Sequence, residues 1–459
     1  GLTTPGNYTV RVKHKGILQA EQIFGLIVTY GASIPEMVHV APSGNDDTGD
    51  GSTDNPFASI QAALDFAGMG DTILVAPGTY IENVELENQN LVIASYYLLD
   101  GDSSHIDNTI IDGGGQGKVI SMNLAGPNTK LIGFTITNGY TTSSGAGLYC
   151  LDSYPTISHC IFKENNAGIS NTSIHGGSIT ADHSEITLDH VMIYSNFAAG
   201  HGGGVYATHS HINASNLLVV NNIANVKGGA FSFYKSSGTF DHVTIASDSA
   251  QVEGGALFMQ ESEVTFTNSI IWGNRPQQIA FSEYGDPSLV NIFYSILDEF
   301  VTGVETHNNG TVNFGLFNVF DDNPLFCDLD SGNYYLAENS LCVNSGENGT
   351  HMGVYGIGCN AILKIDDQAH IAELFTLRNP YPNPFNPSTT IIYSITVQST
   401  VLLQIFDING RLVKTLDNGI KQPGEYKCFW NPNNISSGLY FVQMNYEDHV
   451  QTQKLILLK

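Results

Sequence analysis

Few side chains in this sequence are suited to acid–base chemistry. Between residues 36 and 361 the basic groups are Lys118, Lys130, Lys163, Lys227, Lys235 and Arg275. Lys227 stands out because His201 precedes it and Glu253 follows it by the same interval of 26 residues. That makes it the candidate base for removing a proton beside a carboxylate. Glycoside hydrolysis needs two carboxyl groups roughly 5–10 Å apart, and Glu253 with Asp248 is the pair on offer. His175, His183, His190, His201, His209 and His211 crowd one stretch; the pairs His175/His201 and His183/His209 share the interval of 26. Imidazoles on neighbouring rungs about 5 Å apart could begin a Zn²⁺ site, which needs at least three protein ligands. A ladder of polar turn residues is the reading preferred here. Asp46, Asp47, Asp50 and Asp54 lie among glycines in one loop. Hard oxygens at short intervals are what Ca²⁺ takes, so calcium is the candidate cofactor, with a solvated Asp-rich turn as the alternative reading; the spacing is not that of an EF-hand.

The interval of 26 residues also defines the elements that must position these groups. His175-Gly-Gly, His201-Gly-Gly, Lys227-Gly-Gly and Glu253-Gly-Gly keep it over four copies, and Asn196, Asn222, Asp248 and Asn274 follow the same step. So do the apolar columns Ile179/Val205/Phe231/Leu257 and Ile193/Val219/Ile245/Ile271. Each copy reads as three short strands separated by turns. A unit this small cannot bury its own apolar face, whereas stacking copies at about 4.8 Å builds a continuous core. The expected architecture is all-β, a parallel β-helix, right-handed by the usual chirality of parallel crossovers. The Asn196/Asn222/Asp248/Asn274 column is expected to be a structural ladder of stacked turns, since Asn bonds backbone well and accepts left-handed geometry. Pro56 to Ala67 is the one clear amphipathic helix, with Phe57, Ile60, Leu64 and Ala67 on one face, placed to cap the solenoid.

Composition agrees. The chain has 459 residues, 13% charged and 42% hydrophobic, with 48 Gly, which favours sheets and turns under an uncharged polar surface. A net charge of −27 argues against nucleic acid as a partner. No apolar run reaches the roughly 18 residues of a membrane helix, and no signal peptide opens the chain. Starting at Gly1, it is expected to be a mature or excised piece. Six Cys are too few for a disulfide scaffold; one bridge is expected among Cys327, Cys342 and Cys359, with Cys150 and Cys160 as buried thiols.

Three resemblances extend this reading. The segment from His39 through Pro56-Phe-Ala-Ser-Ile-Gln-Ala-Ala to Gly70-Asp-Thr-Ile-Leu-Val-Ala-Pro-Gly-Thr-Tyr80 resembles the opening of the pectate-lyase-like β-helix superfamily, and Asn323-Pro-Leu-Phe to Ser340-Leu-Cys-Val-Asn-Ser-Gly346 resembles its closing segment. That resemblance implies lyase or hydrolase activity on acidic polysaccharide as one class of function. Gly200-His201-Gly202 is similar to an element of polygalacturonases, but the paired Asp and the Arg-Ile-Lys that accompany it there are absent, and the repeat itself explains it. The last eighty residues, with Tyr381-Pro-Asn-Pro-Phe-Asn-Pro-Ser-Thr-Thr-Ile391, Phe406-Asp-Ile-Asn-Gly-Arg-Leu-Val-Lys-Thr-Leu416 and a terminal Lys454-Leu-Ile-Leu-Leu-Lys459, resemble the type A C-terminal sorting domain of the type IX secretion system. This implies a small β-sandwich, export across the outer membrane of a Gram-negative bacterium, and the secretion machinery as a partner. Tyr8-Thr-Val-Arg-Val12 and Gln22-Ile-Phe-Gly-Leu-Ile-Val28 form a hairpin pattern that resembles the end of the β-sandwich following the catalytic domain of subtilisin-like proteases.

The expected organisation is therefore 1–31 as the end of an upstream β-sandwich, 32–361 as β-helix, 362–376 as linker and 377–459 as sorting domain. Three functions follow: a surface module that binds polysaccharide or serves as a stalk or adhesin, a polysaccharide lyase or glycoside hydrolase, and the C-terminal part of a secreted protease. The scarcity of bases favours the first, a non-catalytic module with cell-surface glycan as partner.

Overall fold

The computed structural model describes residues 37–168, 174–298, 303–315, 318–320, 322–362, 375–378, 380–395, 398–408, 411–432, 435–446 and 449–458. The hairpin read over 1–31 lies outside them, as does most of the connector. Two compact units are present, residues 1–361 and 362–459.

The first unit is a right-handed parallel β-helix. Its strands form parallel sheets of eleven, nine, ten and five strands. One turn runs through Val205–Thr208, His211–Ser215, Leu218–Val220 and Ile223–Ala224. The next turn pairs with it at Val205↔Phe231, His211↔Ser237, Leu218↔Thr244 and Ile223↔Ser249, a shift of one repeat throughout. Five of the turns, including the regular ones, thus have four strands where the sequence suggested three. The fourth is only two residues long, too short for an alternating pattern to register.

Every corner of these turns holds one residue in the left-handed region. In the turn from 202 to 221 these are Gly202, His209, Asn216 and Asn221, with φ of 69°, 48°, 52° and 57°. The neighbouring turn repeats the device at Gly228, Lys235, His242 and Ser247. Left-handed geometry costs a non-glycine residue roughly 1 kcal/mol or more, and rung-to-rung hydrogen bonds offset it. His183 N–H donates to Thr208 O, His209 N–H to Tyr234 O and Lys235 N–H to Gln260 O, at 3.0–3.1 Å. The following glycine has a different cause: a Cβ on Gly203 would meet the Gly229 carbonyl oxygen of the next turn.

Two polar ladders run inside the corners. One is the amide column, which begins at Asn165. The other is made of serines. Ser184, Ser210, Ser236 and Ser262 each donate their backbone N–H to the hydroxyl one turn on, at Ser210, Ser236, Ser262 and Ser288, over 2.9–3.0 Å. Buried polar groups must be paired, and stacking lets one residue type satisfy its own copy in the next rung.

The helix is shorter than its sequence pattern, Ile60–Phe66, and buries Ile60, Ala63 and Leu64. Its N-terminus is capped by Ser59 Oγ, which accepts from Ala62 N–H at 3.1 Å, and by the Glu82 carboxylate, which accepts from Ile60 and Gln61 N–H at 2.9 and 3.0 Å. Residues 322–361 lie along the side of the solenoid. Phe326, Tyr334, Leu336, Cys342 and Met352 from this clasp pack on Leu218, Val220, Ala246, Ile270 and Ile296, the outward side chains of the ten-stranded sheet. A disulfide joins Cys327 to Cys359, leaving Cys342 as a buried thiol.

The second unit contains a three-stranded and a four-stranded antiparallel sheet. Its core draws Leu377, Ile391, Tyr393, Val401, Leu403, Trp430, Val442 and Leu455 from both sheets. The strand Phe375–Leu377 already belongs to it, so regular structure resumes before residue 377. The proline-rich entry is tied to the last strand: Phe385 N–H donates to Ile456 O, and Ile456 N–H donates to Asn383 Oδ1.

Candidate functional site

The column ahead of the paired glycines faces outward beside the nine-stranded sheet. Lys227 and Glu253 sit on adjacent rungs and form a salt bridge. The other carboxylate oxygen of Glu253 is 2.7 Å from His307 Nε2. These partners hold Glu253 below the ordinary Glu value although burial opposes them, so it is an ionised group with both oxygens engaged. Lys227 Nζ also lies 4.4 Å from the centroid of the Phe258 ring.

His201 and His175 stand on the preceding rungs with ring centroids 4.9 Å apart, and the Tyr206 ring is 4.5 Å from His175. The backbone N–H of His201 donates to His175 Nδ1 at 3.1 Å, which requires that nitrogen to be unprotonated. Burial pushes both imidazoles down to about 4; at His201 the neighbouring His175 and Lys227 add to the effect. Both rings are therefore neutral at physiological pH.

Asp248 does not join this group. It is 1% exposed and stands in the amide column, so it does not face the outer surface with Glu253 as the carboxylate-pair expectation required. Its Oδ1 accepts from Asn222 N–H at 2.7 Å and from Asn222 Nδ2 at 2.9 Å, and its own N–H donates to Asn274 Oδ1 at 2.8 Å. Asn196 likewise donates its N–H and Nδ2 to Asn222 Oδ1. Asp248 Oδ2 is enclosed without a hydrogen-bond partner. Burial drives this carboxyl well above the usual range, against the two Asn222 bonds.

The acidic loop is also committed locally. Asp46 Oδ1 accepts from Ala58 and Ser59 N–H at 2.7 and 3.0 Å, and Asp50 Oδ1 from Ser52 N–H at 3.0 Å. Asp47 donates its backbone N–H to Asn45 Oδ1, and Asp54 is fully on the surface. Among the described residues no three His, Cys, Asp or Glu side chains are grouped to hold a metal ion. The oxygens of Asp46 tie the loop to the start of the capping helix and those of Asp50 bond within the loop; no grouping of Asp46, Asp47, Asp50 and Asp54 around one point is seen. The zinc alternative is likewise unsupported. His183 and His209 stack at 4.7 Å, and so do His159 and His190 at 4.8 Å, as pairs of rungs.

Sequence reasoning missed His307, which lies outside the regular repeat at a separation of 54 residues from Glu253. It also missed Phe258 and Tyr206, which are outward side chains of strands; the 26-residue step from Ser232 would have placed both on one row.

A stacked solenoid carried with an antiparallel C-terminal unit is the architecture that comparison has to explain. Residues 379–458 match the family described as "Secretion system C-terminal sorting domain". Residues 42–229 match the family described as "Protein of unknown function (DUF1565)". The chain is thus an exported protein with a type IX sorting domain, destined for secretion or the outer-membrane surface of a Gram-negative bacterium, and the secretion machinery is its partner. No curated protein matches it. Similar solved structures include a pectin methylesterase from carrot, at 12% identity and TM-score 0.33, covering 62% of this chain and 90% of that one. A pectin methylesterase from Erwinia chrysanthemi has 13% identity and TM-score 0.31, covering 60% and 80%. A rhamnogalacturonan lyase has 13% identity and TM-score 0.31, covering 64% and 91%. Among the described residues no helix is long and apolar enough to cross a membrane.

Proposed function

We propose that the β-helix is a surface-displayed module that holds polysaccharide without cleaving it. The observation that carries this reading is the state of the Lys227, Glu253 and His201 column. A general acid or base works best with its pKa near the working pH. Here Glu253 is an ionised carboxylate clamped by Lys227 and His307, and His201 titrates at about 4. Asp248 is enclosed, so it cannot supply the second carboxyl group. What the solenoid does offer is rows of hydroxyl, amide and ring groups at the inter-strand spacing, a rigid periodic surface suited to a periodic polymer.

The test incubates the whole chain with acidic and neutral polysaccharides, with and without Ca²⁺. Reducing ends, unsaturated-uronide absorbance and retention on immobilised polysaccharide are followed. Retention without product is the expected result. Product that disappears in Lys227→Ala would instead assign a lyase or hydrolase to this column. Neither product nor retention would leave a passive stalk.

A further inference from the structure

The polysaccharide-binding reading leaves open which face engages the polymer and what kind of polymer it is. One corner of the solenoid answers both. Between the nine-stranded and eleven-stranded sheets runs an open groove of about 710 Å³, lined by His209, Lys235, Glu261, Glu263, Asp286 and Leu289 among others. It exists because three successive corners are only two residues long, at 209–210, 235–236 and 261–262, while the next, at 282–287, has six. The long corner forms an end wall. Asn309 Nδ2 pins it by donating to Ser282 O at 2.9 Å, and Gly285 abuts the Glu261 side chain so closely that a Cβ would collide with it.

The lining mixes the His209 ring with charged and hydroxyl groups, and His183 and Tyr234 stand beside it. His183 and His209 stack with planes 5° apart at 4.7 Å, and Tyr234 meets His209 edge-on at 5.6 Å. His183 extends the ring surface past the edge of the groove, with its side chain 57% exposed. Flat rings of this kind pack against the apolar face of a pyranose. Lys235 Nζ lies 3.7 Å from a Glu261 oxygen, a loose ion pair that presents a donor and an acceptor to adjacent hydroxyls. Successive rungs advance by about 4.8 Å, close to the advance of one sugar unit along an extended chain.

Charge selects the polymer. Lys235 is offset by Glu261, and Glu263 and Asp286 remain as an excess of negative charge on a chain of net charge −27. A polyuronate or sulfated chain entering the groove meets like charge within the roughly 10 Å over which salt does not screen it.

We propose that this groove is the glycan subsite of the β-helix and that it takes an uncharged polysaccharide, not an acidic one. The proposal rests on the reading of the β-helix as a polysaccharide-binding module. It is tested by affinity electrophoresis and calorimetry of the whole chain at low salt. The uncharged probes are laminarin, mannan and xyloglucan; the charged ones are polygalacturonate and alginate. At least one uncharged probe should bind tenfold or more tightly than either uronate. The double variant His183→Asn/His209→Asn removes the rings while keeping a residue type that tolerates the left-handed corner, and should weaken binding at least tenfold. The exposed pair Glu263→Lys/Asp286→Lys leaves the core untouched and should raise affinity for polygalacturonate. Preference for uronates, or binding of an uncharged probe that both double variants leave unchanged, overturns the groove while sparing the binding module. Failure of every probe to bind sinks the binding module itself.

Discussion

At the scale of single residues, Asp248 is the clearest departure from its surroundings. Asn222 and Asn274 use Nδ2 to donate to the carbonyls of Ile193 and Ile245, three residues ahead of the same position one turn back. The place of Nδ2 is taken in Asp248 by Oδ2, which is buried and unpartnered. Asp248→Asn restores the missing donor and should stabilise the β-helix at pH 7 by about 1–3 kcal/mol, the usual cost of an unsatisfied buried polar group. Because burial raises this carboxyl, its contribution to stability is greatest below the ordinary Asp value and is lost as pH rises. The advantage of the variant should therefore be largest at neutral pH and fade towards pH 4, read from denaturation midpoints across that range. His175 and His201 carry the opposite sign. With values depressed to about 4 from 6.5, they support the fold fully above pH 6.5 and withdraw that support as pH falls towards 4. The loss should be of the order of 1–3 kcal/mol each. His175→Gln/His201→Gln should give a β-helix whose stability changes less between pH 7 and 4, and Asp248→Asn alone one whose stability changes more; an acid slope unaltered by the histidine pair would show that other groups set it.

At the scale of elements, the clasp is where covalent and apolar contributions meet. The ten-stranded sheet is apolar on both faces through Leu218, Val219 and Val220, so its outer side must be covered. The residues that cover it are held by the Cys327–Cys359 bridge, which closes a separation of 32 residues. A loop of that length corresponds to about 3–4 kcal/mol in the chain-entropy account. Cys327→Ser should loosen the clasp and expose Leu218, Ile270 and Ile296, increasing binding of a hydrophobic dye while the parallel-sheet circular dichroism persists. An unchanged dye signal would mean that contacts such as Val354 N–H to Thr244 Oγ1 at 3.0 Å suffice to hold the clasp closed.

At the scale of the whole molecule, two units with separate cores keep the sorting domain apart from the β-helix for which binding is proposed. Deleting the chain from Phe375 onward removes the sorting domain without touching the solenoid core. In a bacterium that uses type IX secretion, the truncated protein should accumulate folded in the periplasm and vanish from the surface and medium; cell fractionation reads this directly. Appearance of the truncated form outside the cell would place the export signal elsewhere.

What the sequence determined by itself was whatever repeats or ends in a recognisable pattern. The 26-residue step specified solenoid, register and inward columns, because each rung must match the next to bury its apolar face. The proline-rich entry and terminal strand announced the sorting domain. Other features depended on tertiary structure because they join residues with no fixed spacing. His307 reaches Glu253 only after the chain leaves the regular repeat. The clasp lies along the side of the helix because the outward apolar residues of one sheet needed cover. The acidic loop was legible as oxygen-rich, yet only its fold showed those oxygens bonded to backbone N–H groups. Asp248 and Glu253 looked alike as carboxylates five residues apart. Stacking enclosed Asp248 with no cation beside it and set Glu253 between Lys227 and His307, and those surroundings then shifted the two carboxyl groups in opposite directions.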